Sequence, residues 1–319
     1  MKEQKVSVVM PSYNGEKYIY QAIKSIIKQS YENWELVIVD DCSSDTTVDI
    51  IRSFCDPKIR FFKNDKNMGI SYSTNRAISE STGSFIALLD DDDMATEERI
   101  ELQVQYLNKH PEIDVLGGSH IVIDKNSNCI RAGKDPIYNP KIIKAYMHFI
   151  NRRFSNGTTM IRKAFIDRHN LKFEENCYGM QDFKFIIECS KLGNISSIGQ
   201  VLQLKRIHDN EETVRQINMH KKERMEKYAD FQRQSILKSG YKLSDEQLYA
   251  INSCITETIR TDINDKELRN LWSAMKELIT QAYARHLDYA PEMEFVCKTV
   301  FCERGLCRNS YNLFDAFFS

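Results

Sequence analysis

Four consecutive aspartates, Asp90–Asp93, directly follow the apolar segment 85–89. This segment is short and comes after the turn-forming residues 82–84, so it predicts a buried strand. Carboxylates at the carboxyl end of such a strand lie where open α/β sheets bind their ligands. Neighbouring carboxylates repel each other by about 1 kcal/mol per pair at 4 Å in water, so Mn²⁺ or Mg²⁺ would stabilise the run. The alternative is a solvated acidic turn before a helix capped by Thr96.

Two more polar clusters follow predicted strands. Pro11–Gly15 comes directly after Val6–Met10, and Asp40–Asp45 comes directly after Glu35–Val39. Each cluster alone is typical of an ordinary turn. The carboxyl ends of parallel strands share one edge of a sheet, so we expect both clusters to meet the four aspartates there.

The elements that would position these clusters alternate between strand and helix. The first part of the chain predicts strands at 6–10, 35–39, 59–62 and 85–89, with helices at 19–27, 47–54, 70–80 and 100–107. The next part predicts strands at 115–123, 158–161, 195–198 and 201–205, with helices at 140–149 and 182–192. This order indicates an α/β fold, in which helices cover both faces of a mainly parallel sheet.

The character of the chain changes after about residue 210, where glycine and proline become rare. An apolar helical stripe consists of Leu268, Leu271, Met275, Leu278 and Ala282. The sequence therefore predicts two domains, an α/β domain over residues 1–210 and a C-terminal helical region over residues 211–319.

The helical region allows two interpretations. It contains a basic helix, with His220, Lys221, Lys222, Arg224, Lys227 and Arg233, and an aromatic end, with Tyr311, Leu313, Phe314, Phe317 and Phe318. Together they would suit docking on an anionic membrane surface. The alternative is a solvated helix face, with the tail packed on its own domain or on the partner of a homodimer. The sequence leaves both interpretations open.

The composition excludes several classes of protein. The 319 residues carry a net charge of −1, which gives no overall field favouring nucleic acid. The nine cysteines are scattered and odd in number, which indicates a reducing compartment rather than a disulfide framework. We see no signal peptide, and no segment approaches the roughly 20 apolar residues of a membrane span. We therefore expect a cytoplasmic protein, or one peripheral on the inner face of the cell membrane.

Four segments resemble, in order and spacing, the signatures of the family-2 glycosyltransferases: Val6–Asn14, Glu35–Asp45, Asn67–Asn75 and Leu88–Asp93. Each alone would be a weak signal, but four in the correct order are specific. The resemblance implies a GT-A fold and transfer of a sugar from a nucleotide diphosphate sugar. It also implies a role in bacterial surface polysaccharide or lipopolysaccharide assembly.

The resemblance also implies roles for individual residues of the donor site. The nucleotide-binding set would be Pro11, Ser12, Tyr13, Asn14, Asp40, Asn67, Asp90 and Asp91. Within it, Tyr13 would lie against the base and Asp40 would accept a hydrogen bond from uracil N3–H. Asp90 or Asp91 would hold the ribose. Asp92 would bind the Mn²⁺ or Mg²⁺ ion that bridges the diphosphate.

The catalytic base implied by the resemblance is Asp182, which would deprotonate the acceptor hydroxyl in an inverting displacement. Gln181 stands where the family usually has a first acid. The alternative for Asp182 is a helix N-terminal residue that interacts with the helix dipole. Arg76, Arg206 and His208 are further candidates for contact with the diphosphate or the metal.

The predicted partners are a nucleotide sugar, most simply UDP-glucose, UDP-galactose or UDP-GlcNAc, and a glycan or lipid-linked saccharide acceptor. A dinucleotide-binding dehydrogenase would need Gly-x-Gly-x-x-Gly after the first strand, and Pro11–Gly15 does not supply it. A second hypothesis is a nucleotide-binding scaffold that kept this fold and lost catalysis. Gln181 supports that hypothesis, whereas Asp92 and Asp182 argue against it.

Overall fold

A computed structural model describes residues 4–133, 137–149, 155–209, 215–216, 219–255 and 263–305, with the side chains of 303–305 excepted. The chain forms two compact units. One consists of Met1–Pro140 and Arg152–His220, and the other of Lys141–Asn151 and Lys221–Ser319. The functional division predicted at residue 210 stays a prediction, and the aromatic end at 311–318 lies outside the described residues.

The first unit is built on a nine-stranded mixed sheet with strand order β3-β2-β1-β4-β8-β6-β9-β5, and β7 pairs with β6. The strands are β1 (Val6–Ser12), β2 (Trp34–Asp40), β3 (Ile59–Lys63), β4 (Phe85–Leu88), β5 (Met94–Ala95), β6 (Val115–Ile123), β7 (Cys129–Ala132), β8 (Met160–Arg162) and β9 (Ile195–Arg206). Strand β4 is antiparallel to β8, whereas strands β3, β2, β1 and β4 run parallel to one another. Their carboxyl ends therefore lie along one edge, as the sequence predicts.

Seven helices accompany these strands along the described chain. They are α1 (Ile19–Ile27), α2 (Thr47–Arg52), α3 (Ile70–Glu80), α4 (Arg99–Lys109), α5 (Pro140–Tyr146), α6 (Lys163–His169) and α7 (Gln181–Leu192). All except most of α5 belong to the first unit. The predicted arrangement of a sheet flanked by helices is confirmed.

The main core lies between the sheet and helices α1 and α4. Val8 and Met10 of β1 are fully buried there against Ile23 and Ile26 of α1. Because successive side chains of a strand point to opposite faces, Val9 is buried on the other face, where α3 packs on β1 and β2. Burial on both faces explains why β1, β2 and β4 are continuous apolar runs.

Strands β5 and β7 were not predicted from the sequence, and two strands predicted separately form one continuous strand. Strand β5 has only two residues and is formed by pairing with β9, so it has no local signal. Strand β7 is fully exposed along its length and lacks the apolar alternation that marks a strand. The short strands predicted at 195–198 and 201–205 are the single strand β9, whose pairing with β6 is irregular around Ser119.

The second unit is helical, as predicted for the C-terminal region. Its described helices after α5 are α8 (Lys221–Lys238), α9 (Asp245–Cys254), α10 (Asp265–Ala284) and α11 (Ala290–Gly305). All five residues of the predicted stripe on α10 are buried. In α8, Arg224 is buried whereas Lys222 is exposed, so the basic residues do not form one face. Across the described residues, no helix has the length and apolar composition needed to cross a bilayer.

A buried carboxylate stabilises the amino-terminal end of the sheet, opposite the predicted site. Glu35 of β2 is 2% exposed and accepts hydrogen bonds from Ser7 (2.6 Å), the Thr82 backbone (2.7 Å) and Lys5 (3.0 Å). Burial alone would raise the pKa of Glu35, but these hydrogen bonds outweigh it and lower the pKa to about 2. The ionised form is therefore held strongly in the folded state.

We expect Glu35→Gln to lower the free energy of unfolding by about 3 kcal/mol at pH 7. The folded pKa lies below the unfolded pKa, so the stabilisation is complete above about pH 5 and is lost as the pH falls toward about 2. Urea unfolding from pH 7 to pH 4 measures this difference, with the exposed Glu32→Gln as the matched control. Equal stability of wild type and Glu35→Gln at pH 7 would show that the carboxylate contributes nothing.

Candidate active site

The carboxyl end of β2 carries two buried aspartates with different partners. Asp41 accepts hydrogen bonds from the side chain of Asn64 (2.6 Å) and from the backbone N–H groups of Met68 (2.9 Å) and Gly69 (2.7 Å). It therefore fixes the loop between β3 and α3. Asp40 is fully buried, and its Oδ2 accepts from the Ser43 backbone at 3.0 Å. Its Oδ1 is buried and has no hydrogen-bond partner within the described part of the chain.

Asn14 joins the loop after β1 to the loop after β2. Its backbone N–H donates to Ser43 Oγ (2.9 Å), and its Oδ1 accepts from the Ser44 backbone (2.9 Å). Asn14 adopts a left-handed conformation (φ 52°) that asparagine tolerates better than most residues. The two predicted clusters therefore do meet.

The third cluster joins them through Asp91. Ser12, the last residue of β1, donates its hydroxyl to Asp91 Oδ2 at 2.5 Å. Gly15 lies directly against the same carboxylate, since a Cβ atom at this position would overlap Asp91 Oδ2. A side chain at position 15 would therefore displace Asp91. This close approach explains why the loop after β1 contains a glycine at that point.

The carboxylates of Asp90–Asp93, which we call the acidic run, repel one another. Burial and the charge of Asp92 raise the pKa of Asp90 to about 7 and that of Asp91 to about 8. The carboxylate of Asp182 also raises the pKa of Asp90, which means that Asp182 interacts with the run. A divalent cation would supply the positive charge that these carboxylates lack.

Asp92 is paired with a histidine that follows the last strand, β9. His208 Nε2 lies 2.9 Å from Asp92 Oδ2, and the His208 ring contacts Tyr18 with centroids 4.9 Å apart. Carboxylate and imidazole are both metal-ligand types. No group of three or more His, Cys, Asp or Glu side chains is arranged to hold a metal ion by itself anywhere in the described ranges.

Arg206 binds the backbone of Asp92 and two residues outside the Asp92–His208 pair. Its Nε donates to the Asp92 carbonyl (2.9 Å), its Nη1 to Ser127 Oγ (2.9 Å) and its Nη2 to Gln21 Oε1 (2.7 Å). The guanidinium also packs over the Tyr18 ring at 4.5 Å. Arg206 is only 1% exposed. It therefore holds the backbone of Asp92 in place, and its predicted contact with a diphosphate stays a prediction.

Two residues that support the acidic run had no individual role assigned from the sequence. Asp93 is buried and accepts hydrogen bonds from Gln203 of β9 and from the Arg206 backbone (2.7 Å). Arg99 of α4 is 1% exposed and donates to the Leu88 carbonyl at 2.8 Å. No periodic signal marked Arg99, because adjacent helix residues such as Arg99 and Ile100 are about 100° apart around the helix axis.

Asp182 is placed by a sharp turn before α7. Tyr178 (φ 50°) and Gly179 (φ 75°) reverse the chain there, and α7 begins at Gln181. Upstream, the Asn75 side chain of α3 holds the Phe173 backbone with two hydrogen bonds of 2.8 Å each. The segment that leads to Asp182 is thus anchored on the same α3 that follows the β3 loop.

A small open cleft lies between the ends of β1 and β4 and the start of α7. Its polar lining comes from Asp90, Gln181 and Asn156, which precedes β8. Asn156 Oδ1 is buried and has no hydrogen-bond partner in the described ranges. The apolar lining is made by Val9, Pro11, Ile70, Leu88, Leu89 and Phe173, with Thr74 beside them.

The remaining predicted site residues lie at the rim or away from the acidic run. Tyr13 is 41% exposed beyond the end of β1, and Asn67 is exposed on the loop after β3. Arg76 donates to the Lys63 carbonyl (2.9 Å) and to Asn64 Oδ1 (2.6 Å). The structure therefore brings Arg76 to the β3 loop rather than to Asp90–Asp93.

A family model described as Glycosyl transferase family 2 matches residues 7–169, just over half of the chain. The chain belongs to glycosyl transferase family 2. An uncharacterized glycosyltransferase of Haemophilus influenzae is 31% identical over 278 residues, which cover 83% of this chain and 84% of that protein. The Escherichia coli protein WfgD, named a UDP-Glc:alpha-D-GlcNAc-diphosphoundecaprenol beta-1,3-glucosyltransferase, is 38% identical over 40% of this chain and 50% of its own length.

Solved structures of other glycosyltransferases share the fold of this family 2 chain. Staphylococcus aureus TarS, in complex with UDP-GlcNAc, matches 92% of this chain and 91% of its own, with a TM-score of 0.59 and 18% identity. The Pyrobaculum calidifontis mannosyltransferase PcManGT, in complex with GDP-Man and Mn²⁺, has a TM-score of 0.54 and 14% identity over 97% and 89% of the two chains. The fold predicted from the four signatures is confirmed.

Proposed function

We propose that this chain transfers a hexosyl residue, with inversion, from a UDP-sugar to a hydroxyl group of a glycan or lipid-linked saccharide. The donors that fit the proposal are UDP-glucose, UDP-galactose and UDP-GlcNAc. The observation that carries it is the meeting of Asp92 and His208 (2.9 Å) at the edge where Asp91 binds Ser12 (2.5 Å). The names of WfgD and of the TarS complex support a UDP-sugar donor and a role in bacterial surface polysaccharide synthesis.

The donor nucleotide would lie across the ends of β1 and β2. Asp40 Oδ1, a buried acceptor with no partner in the described chain, would take the N3–H of uracil. Tyr13, exposed at the same edge, offers an aromatic face to the base. Asp90, which follows β4, or Asp91, which is bound to Ser12, would accept hydrogen bonds from the ribose hydroxyls. A filled Asp40 acceptor would offset the cost of burying that carboxylate.

Asp92 and His208 are the residues that would hold Mn²⁺ or Mg²⁺. Such ions commonly bind one or two protein groups and complete their shell with phosphate oxygens and water, which fits a site with one carboxylate and one imidazole. When bound, the cation would neutralise the charge that develops on the leaving diphosphate. Arg206 keeps Asp92 in position through its backbone carbonyl.

Asp182 would act as the general base. It would take the proton from the acceptor hydroxyl as that oxygen bonds to the anomeric carbon, and the bond from that carbon to the diphosphate oxygen would break. UDP would leave with the electron pair. A single displacement of this kind inverts the anomeric configuration, and it needs no enzyme nucleophile. The electrostatic interaction of Asp182 with Asp90 supports a base beside the donor site.

We expect calorimetry to show binding of UDP that strengthens by about tenfold or more when Mn²⁺ is added. GDP and dTDP should bind more weakly, because Asp40 and the ribose contacts are matched to uridine. The titrations should be run with each nucleotide with and without Mn²⁺. Failure of every nucleotide to bind would contradict the proposed donor site, and with it both the enzyme and the nucleotide-binding scaffold.

A further inference from the structure

Three basic side chains lie side by side on one face of the sheet. Val122 of β6 is directly opposite Arg131 of β7 and Lys205 of β9. Directly opposed residues on neighbouring strands share a face, and so do residues two apart on one strand. His120, two residues before Val122 with regular pairing between them, is therefore on this face too. We call His120, Arg131 and Lys205 the basic row.

The side chains of the basic row are close enough to interact. Burial lowers the pKa of His120, and the charges of Lys205 and Arg131 lower it further. Gly133 lies against the imidazole, where an added Cβ atom would be 2.6 Å from Cε1. Arg131 is exposed, and His120 and Lys205 are half-buried. The row therefore presents two permanent positive charges and one neutral imidazole that a ligand can reach.

The basic row begins at the proposed active site. Gln203, on the same face of β9 as Lys205, donates to Asp93. Lys205 also lowers the pKa of Asp90, so its ammonium group interacts with the acidic run. From β9, the row crosses β6 to β7, which is a span of about 10 Å at the usual strand spacing. It thus leads from the reaction centre outward, on the side away from β1 and β2.

We propose that the basic row binds a phosphate or diphosphate group of the acceptor substrate. This inference rests on the proposed transferase function, and it specifies the acceptor as an anionic one. The donor nucleotide would occupy the ends of β1 and β2, which lie on the other side of β4 in the sheet. Two fixed cations with a histidine complement a doubly charged diphosphate, whereas a neutral glycan would gain nothing from them.

Two kinds of acceptor share this chemistry, a lipid-linked diphosphate saccharide and a phosphate-bearing polymer. The test titrates methyl diphosphate, and separately undecyl diphosphate, into protein saturated with UDP at a fixed excess of free Mg²⁺. Chelation of Mg²⁺ by the probe is then the same for every variant. Tighter binding of the undecyl probe would indicate a lipid-linked acceptor, and equal binding a phosphate-bearing polymer.

We expect Lys205→Gln and Arg131→Gln each to weaken binding of methyl diphosphate by about fivefold, and the double variant by more. Lys109→Gln, an exposed cation of α4, is the matched control and should bind like wild type. The inference is overturned if UDP-saturated wild type does not bind the probe, or if the double variant binds it normally. It is also overturned if Lys205→Gln mainly weakens UDP, since Lys205 would then belong to the donor site. Failure of UDP itself to bind is a separate result that removes the proposed function.

Discussion

Replacing Asp182 with asparagine is expected to lower kcat by about 10²- to 10⁴-fold and to leave UDP binding intact. The amide keeps the size of the side chain but takes no proton from the acceptor hydroxyl. The charge that Asp182 places near Asp90 also disappears, so the donor site loses repulsion rather than support. UDP release from the donor, with water or a supplied acceptor as nucleophile, measures the loss.

Glu188→Gln is the matched control for this experiment. Glu188 is a carboxylate on the same helix, where it is paired with Lys184 (2.9 Å) and Lys191 (3.1 Å). Its neutralisation should leave turnover unchanged, since nothing places it in the cleft. Wild-type turnover by Asp182→Asn would remove the base assignment, whereas loss of UDP binding by this variant would give Asp182 a role in the donor site.

Asp92→Ala is expected to abolish the effect of Mn²⁺ on UDP binding. The affinity for UDP in the presence of Mn²⁺ should fall by about tenfold or more, to the value without metal. The physical reason is that Asp92 is the aspartate whose carboxylate meets an imidazole, while Asp91 is bound to Ser12 and Asp93 to Gln203. Calorimetric titration of UDP with and without Mn²⁺ gives the comparison.

Glu97→Gln removes an exposed acid five residues after Asp92 and serves as its control. This variant should keep the full response to Mn²⁺. His208→Ala should weaken the response less than Asp92→Ala, because the carboxylate remains. An undiminished response to Mn²⁺ in Asp92→Ala would show that another group holds the cation.

The central strands and the convergence of the three clusters were predictable from the sequence for a physical reason. Strands buried on both faces are continuous apolar runs, and parallel strands must end at a common edge. Strand β6 was predicted with its observed bounds, 115–123. The pairing of Ser12 with Asp91 and of Asn14 with Ser43 follows from that shared edge.

The sequence did not predict which face of the sheet each side chain of β9 lies on. Lys205 and Arg206 are adjacent, so the strand period places them on opposite faces. The sequence does not say which face meets the acidic run. Arg206 was a candidate for contact with the diphosphate or the metal, and in the structure its donors bind Gln21, Ser127 and the Asp92 carbonyl. Lys205 interacts with Asp90 and was not predicted to have a role.

The most direct test of the donor site is a crystal structure of the protein with UDP and Mn²⁺, read from the anomalous scattering of manganese. We predict one manganese peak bound by the Asp92 carboxylate and the diphosphate oxygens, with uracil N3–H on Asp40. A manganese peak away from Asp90–Asp93, or UDP bound outside the ends of β1 and β2, would contradict the account.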